Sequence, residues 1–123
     1  MSMLIDTDVL IDFLRGQVNA KEFIATLPAD VFISTITVAE LHVRVRDGKE
    51  RAILTTFLDT FQPIAIDVEL AAEGGLLRRA YGKIYGLGLN DALIAATALK
   101  YKLQLVTLNA KHYPMLKLLV LPY

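Results

Sequence analysis

The sequence predicts an α/β protein built on a mostly parallel sheet. Short apolar runs recur along the chain, longer helical patterns separate them, and the first run carries no charge until it ends. A short run that is apolar at every position reads as a strand buried on both faces, which is the situation of parallel sheets. Alternation of such strands with helices supplies the crossovers that parallel pairing needs.

The first strand is Met3-Leu4-Ile5, with Asp6-Thr7-Asp8 at its carboxyl end. Val9, Leu10, Phe13 and Leu14 then form a helical stripe that stops at Arg15-Gly16. Asn19 is positioned to cap a second helix bearing Phe23, Ile24 and Leu27, which ends before Pro28. Val31-Phe32-Ile33-Ser34 is the second strand, and Thr37-Val38-Ala39-Glu40-Leu41 opens the next helix. Gly48 breaks that helix, and Ile53, Leu54, Phe57, Leu58 and Phe61 continue as another. Pro63-Ile64-Ala65-Ile66 reads as a third strand closed by Asp67.

A long helical pattern follows over residues 68–85, weakened at Gly74-Gly75 by about 1 kcal/mol per glycine relative to alanine. Tyr85-Gly86-Leu87-Gly88 is a loop, and residues 91–101 are apolar nearly all round, which marks a buried helix. Gln104-Leu105-Val106-Thr107 is the fourth strand, Asn109 starts a short turn, and residues 118–121 make a last strand. The sheet therefore has four to five strands.

A chain of 123 residues fits a single domain spanning 1–123. No apolar run approaches the roughly 18 residues of a membrane span. No charged, apolar and small-residue sequence of a secretory leader opens the chain, so the expected location is cytoplasmic. Cysteine is absent, which excludes disulfides and thiolate metal sites. Thirteen basic and thirteen acidic residues cancel, arguing against nucleic-acid binding by bulk charge alone. The 54% hydrophobic content points to a partner chain, or a second copy, covering apolar surface.

Asp6, Glu40 and Asp91 stand at helix starts, and Asn109 follows the fourth strand in the same manner. In a parallel sheet these junctions share one edge, where ligands bind. Each acid can also be a helix cap: Asp6 or Asp8 for the first helix, Glu40 in a capping box with Thr37, and Asp91 in a first turn. Convergence changes the balance. Three carboxylates about 5 Å apart at an effective dielectric of ~20 repel by about 3 kcal/mol per pair, so converging acids require a cation or a proton. Carboxylate oxygens suit Mg²⁺, and an ion at such a site activates water against a phosphodiester.

Leu4-Ile5-Asp6-Thr7-Asp8-Val9-Leu10-Ile11-Asp12, Ile36-Thr37-Val38-Ala39-Glu40-Leu41, Asp91-Ala92-Leu93-Ile94-Ala95-Ala96-Thr97-Ala98 and Leu105-Val106-Thr107-Leu108-Asn109 together resemble the successive motifs of PIN-domain nucleases. The likeness is closest to VapC-like toxins of toxin–antitoxin pairs and covers nearly the whole chain. It implies a three-layer α/β/α sandwich whose sheet edge holds Mg²⁺ (or Mn²⁺) and cuts RNA. It further implies a homodimer and a small antitoxin partner. By position, Asp6, Glu40 and Asp91 match the family's metal-binding acids, and Thr107 matches a hydroxyl residue beside them. Asn109 departs from a position that is usually aspartate, which favours one tightly held ion. Asp8 stands where asparagine or serine is common and has a supporting role, through capping or a contact to metal-bound water.

Arg44 and Arg46, with Lys49 and Arg51, form a basic cluster that can steer RNA, and His112 is a candidate phosphate contact. A solvated helix end explains the arginines equally well, and the same two readings apply to Arg78, Arg79 and Lys83. Tyr81 and Tyr85 are either base-stacking residues or core. His42 and Asp12 read as packing or surface residues. Two other functions fit less of the chain. A haloacid-dehalogenase-type phosphatase would use Asp6 as nucleophile and Asp8 as acid/base, but needs a lysine and a late acidic pair. A PIN-fold binding module without catalysis would explain Asn109 as a decayed position.

Overall fold

The computed structural model describes residues 2–123. Its elements are β1 (Met3–Ile5), α1 (Thr7–Leu14), α2 (Val18–Ala25), β2 (Val31–Ser34), α3 (Thr35–Arg44), α4 (Lys49–Leu58), β3 (Gln62–Ile64), α5 (Val68–Tyr85), α6 (Leu89–Tyr101), β4 (Gln104–Val106) and β5 (Leu119–Val120), with a 3-10 turn at Ala110–His112. The strands form one sheet in the order β3-β2-β1-β4-β5, parallel at every pairing.

Period-two alternation distributes the strand side chains between two cores. Leu4, Phe32, Leu105 and Leu119 face one core, with α5 and α6 supplying Leu77, Tyr81, Ile94 and Ala95. Ile5, Val31, Ile33, Val106 and Val120 face the other, with Val9, Leu10, Leu41, Leu54 and Leu58 from α1, α3 and α4. The result is the three-layer α/β/α sandwich, and the central strands β1, β2 and β4 are covered on both faces as their uninterrupted apolar runs require.

Among the boundaries that differ from the sequence reading, three change the caps or the sheet edge. Gly16 turns the chain at φ +84°, so α2 starts at Val18 and its cap is the Gln17 side chain, which accepts from the Ala20 amide at 2.6 Å. Asn19 therefore lies inside the helix and caps nothing. The capping box of Thr37 and Glu40 does not form, because α3 begins at Thr35 and the Ser34 hydroxyl accepts from the Ile36 amide at 3.0 Å. Glu40 is thereby left free of helix-start duty. The third strand is shorter than its apolar run: β2 ends at Ser34, opposite Ile64, and the Ile66 amide donates instead to Thr35 Oγ1 at 3.2 Å. Pro63 is tolerated because β3 is an edge strand.

The two glycines inside α5 have opposite surroundings. A Cβ on Gly74 would run into the Leu93 side chain and lie 3.1 Å from the Leu93 Cα, whereas one on Gly75 meets nothing within 4 Å. Gly75→Ala should therefore raise the stability by about 0.5–1 kcal/mol through helix propensity. Gly74→Ala should lower it, because overpacking of about 1–3 kcal/mol exceeds that gain. Thermal unfolding of the two variants checks this; equal shifts would show that α5 and α6 do not approach so closely.

Candidate metal centre

Parallel pairing brings the ends of β1, β2 and β4 to one edge. Ile5 is in register with Val106, and the Asp6 amide donates to the Val106 carbonyl at 2.9 Å. Asp6 therefore sits beside Thr107 although 101 residues separate them. Its side chain does two jobs. Oδ1 caps α1 by accepting from the Thr7 amide at 2.8 Å, and Oδ2 accepts the Thr107 hydroxyl at 2.8 Å and the Tyr113 hydroxyl at 2.9 Å. Capping and site roles coexist in one carboxylate that is only 4% exposed.

Glu40 reaches the same edge from the middle of α3. Thr7 Oγ1 donates to Glu40 Oε1 at 2.7 Å. The single Thr7 proton is thus committed, and Thr37 Oγ1 at 2.9 Å must donate to Thr7. This buried hydroxyl relay orients the half-buried glutamate, and Asn90 Nδ2 lies 3.5 Å from its other oxygen. Asp91 stands in the first turn of α6, whose cap residue Gly88 offers no side-chain bond. Asp8, in the first turn of α1, receives the Leu108 amide at 3.1 Å and Asn109 Nδ2 at 3.0 Å on Oδ2.

Charge links the four acids. Burial pushes the Asp6 carboxyl up to about 7, reinforced by the charges of Asp8 and Asp91 and opposed by the Thr107 and Tyr113 hydroxyls. Asp91 is raised by burial and then by Glu40, while the charge of His112 and the Tyr113 hydroxyl oppose the rise. Burial also raises Asp8, and the Leu108 amide works against it. Among the described residues, no three His, Cys, Asp or Glu side chains close into a ready-made cage. Hydroxyl and amide donors hold Asp6, Asp8 and Glu40.

The donor set fits a hard divalent cation. Every candidate ligand is an oxygen from carboxylate or hydroxyl, the chemistry of Mg²⁺ and Mn²⁺. Asp8 Oδ1 is buried and has no hydrogen-bond partner, and neither has the buried His112 Nδ1. A buried carboxylate oxygen without a donor is the group that a cation would satisfy.

Other candidates fall elsewhere. Arg44 and Arg46 lie at the far end of α3, lining a groove of about 610 Å³ with Ile11, Leu14, Arg15 and Leu41. Arg46 is bound to Glu50 at 2.9 Å and Arg51 faces Asp47 at 3.6 Å, so the basic cluster is partly neutralised by acids of the α3–α4 loop and the start of α4. Lys100 faces Asp67 and Glu69 at 3.7 and 3.4 Å, so the phosphatase reading lacks its lysine at the acids. His42 Nδ1 lies 2.7 Å from the Val38 carbonyl. Tyr81 packs on the core, while Tyr85 is exposed. Asp12 accepts the Tyr123 hydroxyl at 2.8 Å.

Sequence reasoning missed Thr7, Thr37 and Tyr113. Thr7 had a usable signal, a hydroxyl between two acids at a strand end. Tyr113 had none, since it follows a 3-10 turn in a segment without periodicity.

Comparison with known proteins gives concordant results. The PIN domain family matches residues 3–115. Ribonuclease VapC10 of Mycobacterium tuberculosis is 36% identical over 123 residues, covering 98% of this chain and 92% of the relative. A toxin–antitoxin complex from Klebsiella pneumoniae superposes with a TM-score of 0.85 at 34% identity, over 98% of each chain. VapBC2 from Rickettsia felis, solved bound to a DNA fragment from its promoter, gives a TM-score of 0.76 at 25% identity over 98% of this chain and 96% of that one.

Proposed function

The chain belongs to the PIN domain family, and from that premise we propose that it is a divalent-metal-dependent endoribonuclease, the toxin of a toxin–antitoxin pair. The observation that carries the reading is that Asp6 and Asp8 at the start of α1, Asp91 at the start of α6 and Glu40 in the middle of α3 are each linked to another of the four by charge. Asp6, Glu40 and Asp91 would hold the ion. When bound there, Mg²⁺ or Mn²⁺ supplies positive charge to the phosphate and makes water more acidic.

The chain's own residues arrange the rest. Thr107 and Tyr113 fix the Asp6 carboxylate, and the Thr37–Thr7 relay fixes Glu40, so the acids are preorganised on rigid elements. The reaction is hydrolysis: water attacks phosphorus in line, the bond to the 3′ oxygen breaks, and the products carry 5′-phosphate and 3′-hydroxyl ends. The partner in this reading is a small antitoxin protein, and the chain itself is a homodimer of single-domain subunits spanning 1–123. Exposed Leu14 and Ile53 along the Arg44–Arg46 groove are apolar surface that such a partner would cover. No helix among the described residues is long and apolar enough to cross a membrane, and the reading places the protein in the cytoplasm.

Incubating the purified protein with RNA tests the proposal. Cleavage should appear with Mg²⁺ or Mn²⁺ and stop when excess chelator is added. Cleavage indifferent to chelator, or none with either ion, would overturn it.

A further inference from the structure

The pair Asp8 and Asn109 has a geometry that the three-acid description leaves unused. Asp8 Oδ2 is held by Asn109 Nδ2 at 3.0 Å and the Leu108 amide at 3.1 Å, with Thr107 Oγ1 at 3.4 Å. The Thr107 proton is better directed to Asp6 at 2.8 Å, so the two nitrogens are the principal donors. A carboxylate is planar, so fixing one oxygen from two directions also fixes where the other points. That other oxygen, Oδ1, is buried without a partner. The adjacent Val9 amide donates to the Asp6 carbonyl at 3.3 Å and gives the Asp8 carboxylate only secondary support. Asp8 also lies within the electrostatic reach of Asp6 and Asp91.

Burying an unpartnered carboxylate oxygen beside two further acids is unfavourable unless positive charge arrives there. We infer that Asp8 carries the fourth negative charge that holds the divalent cation, and that Asn109 is the positioning residue that aims it, neutral because its contact partner already bears the charge. The inference rests on the metal-dependent reading above and adds a ligand-side residue to it. It also gives Asn109 a constructive role: a carboxylate there would stand against Asp8, whereas an amide donates to it.

Exchange of the two side chains tests this. Mn²⁺ binding is measured by calorimetry on wild type, Asp8→Asn, Asn109→Asp and the double exchange, with RNA cleavage recorded alongside. Asp8→Asn is close in shape and should weaken Mn²⁺ binding by roughly 10–100-fold, the range for losing a supporting carboxylate at a metal site. Asn109→Asp should lower the melting temperature of the metal-free protein through like-charge contact, and Mn²⁺ should raise that temperature by more than in wild type. The double exchange, which restores one carboxylate and one amide in contact, should recover binding to within about threefold of wild type. Unchanged Mn²⁺ affinity in Asp8→Asn, or a double exchange no better than that single variant, overturns the inference. A wild type that binds Mn²⁺ without cutting RNA instead overturns the functional reading, and the titrations still decide the role of Asp8.

Discussion

Asp6→Asn should abolish metal-dependent RNA cleavage and, at neutral pH, leave the metal-free protein more stable than wild type. The two effects have one origin. A carboxylate that is 4% exposed and lies beside Asp8 and Asp91 is held up to about 7, far above the range of an unfolded chain. The sign follows from linkage. A carboxyl whose folded value is raised binds its proton more tightly in the folded state, so ionisation opposes folding. The penalty is absent below about pH 4, grows as pH rises, and is complete above about pH 7. Asparagine removes it. The gain is on the order of 2–4 kcal/mol, less about 1–3 kcal/mol for weakening the bonds from Thr107 and Tyr113. The midpoints leave a net gain of about 1 kcal/mol, which corresponds to a rise of about 3–5 °C.

Activity should fall by roughly 100-fold or more, beyond what loss of a supporting partner costs. The decisive measurement is the melting temperature of both proteins from pH 4 to 8, with chelator and then with Mn²⁺. Wild type should lose stability across that window and regain it with Mn²⁺, increasingly so at higher pH, because the ion displaces the proton. Asp6→Asn should show a flatter profile and no Mn²⁺ response. A variant that melts at the wild-type temperature throughout would mean that the acids do not burden the fold.

The distinction between the caps and the site marks how far the sequence could be read. Local rules assign Asp6, Glu40 and Asp91 equally to helix starts, and for Asp6 the rule is correct, since one oxygen does cap α1. For Glu40 it fails because α3 begins two residues before Thr37, at the point where Ser34 leaves the sheet. The cap on α2 fails likewise, because Gly16 sets where that helix begins. The fold class was legible because strands buried on both faces leave an unbroken apolar record, and that record gives the layers and the shared edge. The hydrogen-bond partners were not legible: Thr7 with Glu40 and Tyr113 with Asp6 join residues 33 and 107 positions apart, and no spacing rule reaches so far. Nor does a basic cluster reveal that Arg46 and Arg51 are held by neighbouring acids.

Tyr113→Phe isolates the donor that sequence reading missed, and its effect should run opposite to that of Asp6→Asn. The ring is 1% exposed and packs in the core with Leu4, Ile94 and Leu105, so phenylalanine fills the same volume. What is lost is the hydroxyl that donates to Asp6 Oδ2 and favours the charged form of Asp91. The buried Asp6 and half-buried Asp91 carboxylates then lose a shared donor, a change worth about 1–3 kcal/mol because charged acceptors are involved. The metal-free melting temperature should fall by about 5 °C, and Mn²⁺ should restore more of it than in wild type, because the ion replaces the missing donor. Cleavage should slow through kcat, with KM little changed, since the hydroxyl orients a ligand-bearing acid and touches no base. A purely packing role for the ring predicts a different outcome: the same melting temperature as wild type, the same Mn²⁺ increment and undiminished kcat. That result would remove Tyr113 from the site and leave Thr107 as the hydroxyl that sets the direction of Asp6.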